Sequence, residues 1–259
     1  MPTSMSSRRL DAWLPWAGLV GLLAVWQLGV GAFAIPDLIL PAPSAIARSL
    51  AFGVASGVFP HHALVTAEQA VVGFALALVA GIALGALVAE IRVVERAAYP
   101  LIVAFQAMPK VALAPLVIVW FGYGIGSKIV LAAVVAFFPI LVNTVAGLKS
   151  CEAGKIDILD ALGASPWQVF RLVRLPNALP FVFAGAHVAA AFVVLGAVVG
   201  EFLGAKEGLG TLILLANGNL DVAQVFAILA MLGTLGFLFY SLIGFAQRRL
   251  LRWAPVTAR

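Results

Sequence analysis

The chain of 259 residues is 63% hydrophobic and 10% charged, with a mean hydropathy of +1.11, values that exclude a soluble globular domain and point to a polytopic membrane protein. Its net charge of +5 does not indicate nucleic acid, because the basic residues are scattered at the ends of apolar blocks. A single cysteine, Cys151, excludes an intrachain disulfide, and three histidines, His61, His62 and His187, argue against a protein-only metal site.

Residues 1–13 are polar and carry Arg8 and Arg9, which predicts a cytoplasmic tail followed by a retained span over 14–35 rather than a cleaved signal peptide. Pro36, Pro41 and Pro43 forbid a continuous helix after it, and Ser44 is expected to start a short amphipathic helix through Arg48. A second span is predicted over 66–90, where Gly73, Ala77, Gly81 and Gly85 form a strip of small residues that another helix can approach closely. Arg92, Glu95 and Arg96 mark a turn before the third span, 97–121, which contains Gln106, Met108 and Lys110 beside Pro109 and Pro115. Two prolines and a lysine in an apolar span predict a helix broken beside a cavity or a partner helix. Lys110 is expected either to meet a transported solute or to snorkel or pair with Glu68 or Glu201.

Gly122 to Lys128 invites comparison with a phosphate loop, but the glycine and lysine spacing is wrong for one, so a glycine-rich turn outside the membrane is expected and no nucleotide site. The fourth span, 128–148, is kinked at Pro139 and bears Asn143 on one side. A polar loop, 149–177, follows. In it Asp157, Asp160 and Ala161 lead to Gly163, where a residue without Cβ can end a helix at positive φ. After Ala164, the order Ser165, Pro166 and Gln168 is that of an N-cap, a first-turn proline and a capping-box partner, so a new helix should start there. From Trp167 toward Leu175 and Pro176, apolar residues alternate with Gln168, Arg171 and Arg174 at helical spacing, predicting an amphipathic segment along the membrane surface. The fifth span, 178–201, holds His187, expected to bond a neighbouring backbone carbonyl or to serve as a pathway ligand, and ends at Glu201. The sixth span, 222–247, is followed by Arg248, Arg249, Arg252 and Trp253 and a tail of 254–259.

With both termini inside, twelve of the sixteen basic residues fall on the cytoplasmic side; Arg48, Lys128 and Lys206 lie outside and Lys110 lies in a span. This asymmetry is that of positive-inside orientation and puts the 149–177 loop in the cytoplasm. The fold class is therefore all-α: a polytopic membrane protein with six transmembrane helices in one domain, 14–253, and cytoplasmic N- and C-termini.

The loop carries a family resemblance. Asp157, Gly163, Val173, Leu175 and Pro176 fall at the places of the EAA loop of permease subunits of ATP-binding-cassette (ABC) importers, with Ile158 and Leu159 where that pattern has alanines. The stretch from Met108 to Gly122, and Glu201 followed by Gly208-Leu209-Gly210, resemble the branch of the family that includes sulfonate, nitrate and taurine permeases. Gln69 stands where many relatives carry arginine. The resemblance implies a type I ABC importer permease fold in a bacterial inner membrane and no catalytic residue in this chain. It implies a coupling helix over Asp157 to Gly163, in a contact loop that includes Asp160, Ala161, Ala164, Ser165, Leu175 and Pro176. Two ATPase subunits would bind ATP and Mg, a second permease copy would complete a homodimer, and an extracytoplasmic solute-binding protein would deliver the solute. Candidates for the pathway are Gln106, Met108, Lys110, Asn143, His187 and Glu201. The solutes implied are sulfonate-, nitrate- or taurine-like, or a heterocycle such as a pyrimidine or riboflavin.

Two other readings stand beside this one. An autonomous channel or ion-coupled carrier would use Lys110 and His187 as its mid-depth ionisable groups. An intramembrane serine protease would use Ser165 and His187, although Pro166 occupies the place of the second glycine in the rhomboid pattern.

Overall fold

The computed structural model describes residues 5–252, all of whose regular structure is helical. In chain order the helices are α1 (Met5–Ala32), α2 (Pro43–Ala55), α3 (Val58–Glu90), α4 (Arg92–Ala107), α5 (Ala114–Phe121), α6 (Ile125–Lys149), α7 (Ala153–Ala161), α8 (Pro166–Val169), α9 (Leu175–Phe202), α10 (Leu209–Gly218) and α11 (Val222–Leu250). Among the described residues four helical runs are long and apolar enough to cross a membrane: Val58–Glu90, Ile125–Lys149, Pro166–Phe202 and Val222–Leu250. The bent pair Arg92–Ala107 and Lys110–Phe121 makes a fifth candidate, and Trp16–Ala32 is a shorter apolar helix. The expected tail 254–259 lies outside the described residues.

The described chain divides into two compact units, one up to His61 with Leu212–Met231, the other His62–Thr211 with the residues from Leu232 onward. In the first, α2 begins at Pro43 with Ala42, not Ser44, at the cap position. Proline suits the first helical position because its φ is preset and it has no N–H to leave unpaired. The Ser44 N–H is taken by Gln27 Oε1 of α1 at 3.0 Å. Gly53 lets the Phe59 ring lie against the α2 backbone, since a Cβ there would come within 2.6 Å of the ring.

In the second unit α6 packs between α3 and α9 through small residues. A Cβ on Gly81 would lie 2.8 Å from Ile140 Cγ2, and one on Gly196 would lie 2.8 Å from the Ala132 Cα. Fully buried Ala70, Ala77, Ala132, Ala136, Ala189, Ala190 and Ala197 continue the same contacts. In hydrocarbon there is no solvent to drive helices together, so close backbone approach and dispersion do the work, as the small-residue strip on α3 predicts.

Two breaks shape the rest. After Ala107 the chain bends by 93° at Met108 and Pro109, then resumes through a 3₁₀ turn, Lys110–Leu113, into α5. The break follows from Pro109, which has no N–H for the helical ladder. By contrast, Pro176 and Pro180 do not end a helix. The amphipathic segment expected as a separate surface helix joins the fifth span in one helical run, Pro166–Phe202, through a π turn at Phe170–Arg174. Pro176 cannot bond the carbonyl four residues back, and a widened turn just ahead of it absorbs that loss without ending the helix.

Candidate functional site

Two polar clusters of the second unit sit at the ends of α3 and α9. Glu90 at the end of α3 is paired with Arg174 at 2.6 Å, while near the other end Thr66 donates to Glu201 Oε1 at 2.8 Å. At 1.5 Å rise per residue, the part of α3 between Thr66 and Glu90 spans roughly 36 Å, comparable with a bilayer.

At the Glu90 end the loop is built from local rules. α7 closes with Gly163 N donating to Asp160 O at 3.0 Å and Ala164 N to Leu159 O at 3.0 Å, with Gly163 at φ +74. These are the two bonds of a Schellman stop. Ser165 then caps α8 in a complete capping box: Gln168 N donates to Ser165 Oγ at 3.3 Å and Ser165 N to Gln168 Oε1 at 2.7 Å. Stop and start together fix the angle between the two helices. The base is fastened by the Lys149–Glu95 ion pair and by Asn177 Nδ2, which donates to Gly147 O at 3.1 Å and Ser150 Oγ at 2.9 Å. Beyond the base α7 has no buried residue. Ile158, Leu162 and Trp167 are 63%, 77% and 66% exposed, and Asp157 and Asp160 are exposed beside them. A nine-residue helix without a core of its own, ending in apolar side chains, is shaped to find its burial against a partner.

At the opposite end α10 is capped by three side chains. Its leading N–H groups on Gly208, Leu209 and Gly210 donate to His62 Nδ1 at 2.9 Å, Thr66 Oγ1 at 2.9 Å and Glu201 Oε2 at 2.7 Å. Helix N-termini leave such donors without backbone partners and carry partial positive charge, so a carboxyl group there answers both. The arrangement explains the Gly-Leu-Gly sequence: Gly208 has φ +121, and a Cβ on it would lie 2.1 Å from Glu201 Oε1. Glu201, read above as a pathway candidate, is thus fully buried as a structural cap. Gln69 lies beside the same carboxyl group, and Lys128, expected in an exterior turn, is instead buried in the first turn of α6 with Nζ donating to Tyr123 O at 2.7 Å. The sequence reading missed His62, Thr66, Gln69 and Lys128. For the first three the signal was the i, i+4, i+7 spacing of His62, Thr66 and Gln69, which puts polar groups on one face of α3.

The remaining candidates divide. Lys110 pairs with neither Glu68 nor Glu201; its Nζ donates to Gln106 O at 3.2 Å and lies 5.1 Å from the Phe138 ring centroid. Met108 and Lys110 line a 220 Å³ cavity with Pro139, Phe192 and Leu195, so Gln106, Met108 and Lys110 come together at the break. Asn143 is spent on its own helix, donating to Pro139 O at 2.8 Å. His187 does not bond a backbone carbonyl: its Nε2 meets Gln247 Oε1 at 2.9 Å and its ring lies 4.4 Å from that of Tyr240. Ser165 caps the helical run Pro166–Phe202 that holds His187, roughly 33 Å away at 1.5 Å per residue, which excludes a protease dyad.

Residues 77–252 match the family described as binding-protein-dependent transport system inner membrane component. The riboflavin transport system permease protein of Chloroflexus aurantiacus is 42% identical over 235 residues, 91% of this chain and 88% of that one. The formylaminopyrimidine transport permease protein of Halalkalibacterium halodurans is 37% identical over 90% of this chain and 92% of its own length. A putative aliphatic sulfonates transport permease protein of Escherichia coli is 34% identical over 93% and 92%. Among solved structures, an inward-facing MetNI methionine ABC transporter superposes with TM-score 0.60 at 24% identity, covering 74% of this chain and 93% of that one. An amino acid ABC transporter superposes with TM-score 0.63 at 16% identity, covering 78% and 98%. Both share the fold.

Proposed function

The chain belongs to the family of binding-protein-dependent transport system inner membrane components, and from that premise we propose that two copies of it form the pathway through which an ABC importer takes up a planar nitrogen heterocycle. It is a multi-pass permease subunit of an ABC transporter, and its family comprises transport permeases rather than enzymes. ABC importer permeases work with ATPase subunits and solute-binding proteins. Here two ATPase subunits bind ATP and Mg, and an extracytoplasmic binding protein delivers the solute to six-span subunits of a bacterial inner membrane with both termini in the cytoplasm.

The observation that carries the coupling role is α7, which has no buried residue yet is locked at its end by the Schellman stop and the capping box. Such a helix transmits force without bending. Closure of the ATPase pair displaces it, and the rigid base displaces α3 and α9 with it. Asp157, Asp160, Ala161, Gly163, Ala164 and Ser165 make the docking element, and Leu175 and Pro176 lie where it joins the span. The heterocycle is favoured because the relatives above 35% identity among those compared are riboflavin and formylaminopyrimidine permeases, with sulfonate permeases at 34% and 30%. Reconstituted with its ATPase and binding protein, the transporter is expected to accumulate riboflavin or formylaminopyrimidine only with ATP and to ignore an alkanesulfonate. Sulfonate uptake in place of either would overturn the substrate class, and uptake without ATPase would overturn the importer mechanism.

The cluster at the break, Gln106, Met108 and Lys110, is the proposed contact with solute inside the span. Lys110→Met removes a cation from the Phe138 ring. Losing a solute contact to a charged group costs about 1.5–3 kcal/mol, roughly tenfold to 150-fold in affinity, so KM for uptake should rise within that range at unchanged insertion. Unchanged kinetics would assign the side chain to packing.

A further inference from the structure

The end of the second unit that holds Glu201 also carries an open pocket of about 550 Å³ lined by Val65, Gln69, Tyr123, Ile125, Lys128 and Lys206, among others. Its chemistry differs from that of the cavities around Phe137 and Phe138, whose walls are apolar. Two of its polar groups are buried and incompletely used. Gln69 is 2% exposed, and its Oε1 is buried with no hydrogen-bond partner. Lys128 is 1% exposed and its ammonium, which carries three donors, has Tyr123 O as its acceptor among the described residues and makes no ion pair with them. Burying a carbonyl oxygen without a donor is costly, and burying an ammonium with spare donors is more so. Beside the exposed charged groups of Lys206 and Glu207, the lining thus contributes one buried acceptor without a donor and one buried ammonium with spare donors, each of which gains when a complementary group enters. The Tyr123 ring lies on the backbone of the loop between α9 and α10, since a Cβ on Gly204 would come 2.9 Å from Tyr123 Cδ1, and it provides a flat wall.

We propose that this pocket is a solute subsite that takes the lactam or imide edge of a planar nitrogen heterocycle: the ring carbonyl accepts from Lys128 Nζ, the adjacent ring N–H donates to Gln69 Oε1, and the ring stacks on Tyr123. The proposal rests on the permease reading above and locates a holding point within it, apart from the cluster at Lys110. It also supplies a physical basis for selectivity. A sulfonate offers only acceptors, so it satisfies Lys128 but leaves Gln69 Oε1 unpaired and faces it with like partial charge. Sites built to pair a donor discriminate strongly against solutes that lack it.

The test uses the assembled transporter with its ATPase in nanodiscs, without nucleotide, and radiolabelled uracil as the smallest imide. Uracil is expected to bind, 1,3-dimethyluracil, which has no ring N–H, at least tenfold more weakly, and methanesulfonate not to compete. Gln69→Met and Lys128→Met should each weaken uracil binding at least tenfold, and Tyr123→Ala, at an exposed ring that the fold does not need, severalfold. Equal binding of uracil and its dimethyl form, or unchanged binding in the Tyr123 and Lys128 variants, overturns the subsite. So does a wild-type transporter that binds no uracil and holds only an ordered water between Lys128 and Gln69. ATP-driven heterocycle uptake separates the two readings: if it persists while binding is unaffected by these variants, the subsite fails and the permease reading stands, whereas its absence in the wild type removes the reading beneath.

Discussion

Alanine in place of Gly208 is expected to reduce uptake to background and to lower the melting temperature of the detergent-solubilised subunit by about 8–16 °C. Two effects add. An L-residue at φ +121 is strained by about 1–3 kcal/mol, and the new Cβ, 2.1 Å from Glu201 Oε1, displaces the carboxyl group from the α10 terminus. Losing the bonds from Thr66 Oγ1 and Gly210 N to a carboxyl group removes about 1.5–3 kcal/mol each, so about 4 kcal/mol, the low end of the sum, sets the shift expected here. Gly210→Ala is a graded control, because its Cβ would meet Glu201 Oε2 at 2.8 Å without a positive φ. It should shift the melting temperature about half as far. A Gly208→Ala subunit that melts and transports like the wild type would mean that Glu201 does not cap α10.

The loop was legible because its determinants are local. Gly163, Ser165, Pro166 and Gln168 act on neighbours within one turn, and both the Schellman stop and the capping box follow from their order alone. The small-residue strip on α3 was likewise readable, although which helix it meets was not. Features that join distant segments were invisible. Glu201 and Thr66 are 135 positions apart, and His187 and Gln247 are 60 apart, so no periodicity links them. Lys128 looked exterior because Gly122, Gly124 and Gly126 precede it, yet the helix starts at Ile125 and carries the lysine inward. Pro176 and Pro180 looked like breaks because a sequence shows the missing N–H but not the π turn that accommodates it. At Pro109, by contrast, the expected break is present, with Lys110 folded back on the carbonyl of Gln106 rather than paired across the unit.

Proline in place of Gly163 should separate transport from folding. Gly163 has φ +74 and its N–H donates to Asp160 O, whereas proline holds φ near −65° and has no N–H, so the Schellman stop cannot form. The loss stays local because α7 buries nothing in this chain. Insertion should be normal and the melting temperature unchanged to within about 2 °C, since no core contact is touched. ATP-driven uptake and the stimulation of the ATPase by solute and binding protein should fall at least tenfold. Asp157→Arg, which reverses an exposed charge on the same helix, is expected to give the same separation through the docking face rather than through its geometry. Ser165→Ala removes only the cap, about 1 kcal/mol, and should reduce uptake severalfold at most. The order Gly163→Pro, then Ser165→Ala, then wild type is what a rigid docking element requires. If Gly163→Pro and Asp157→Arg both transport at the wild-type rate, α7 is not the contact through which nucleotide energy enters.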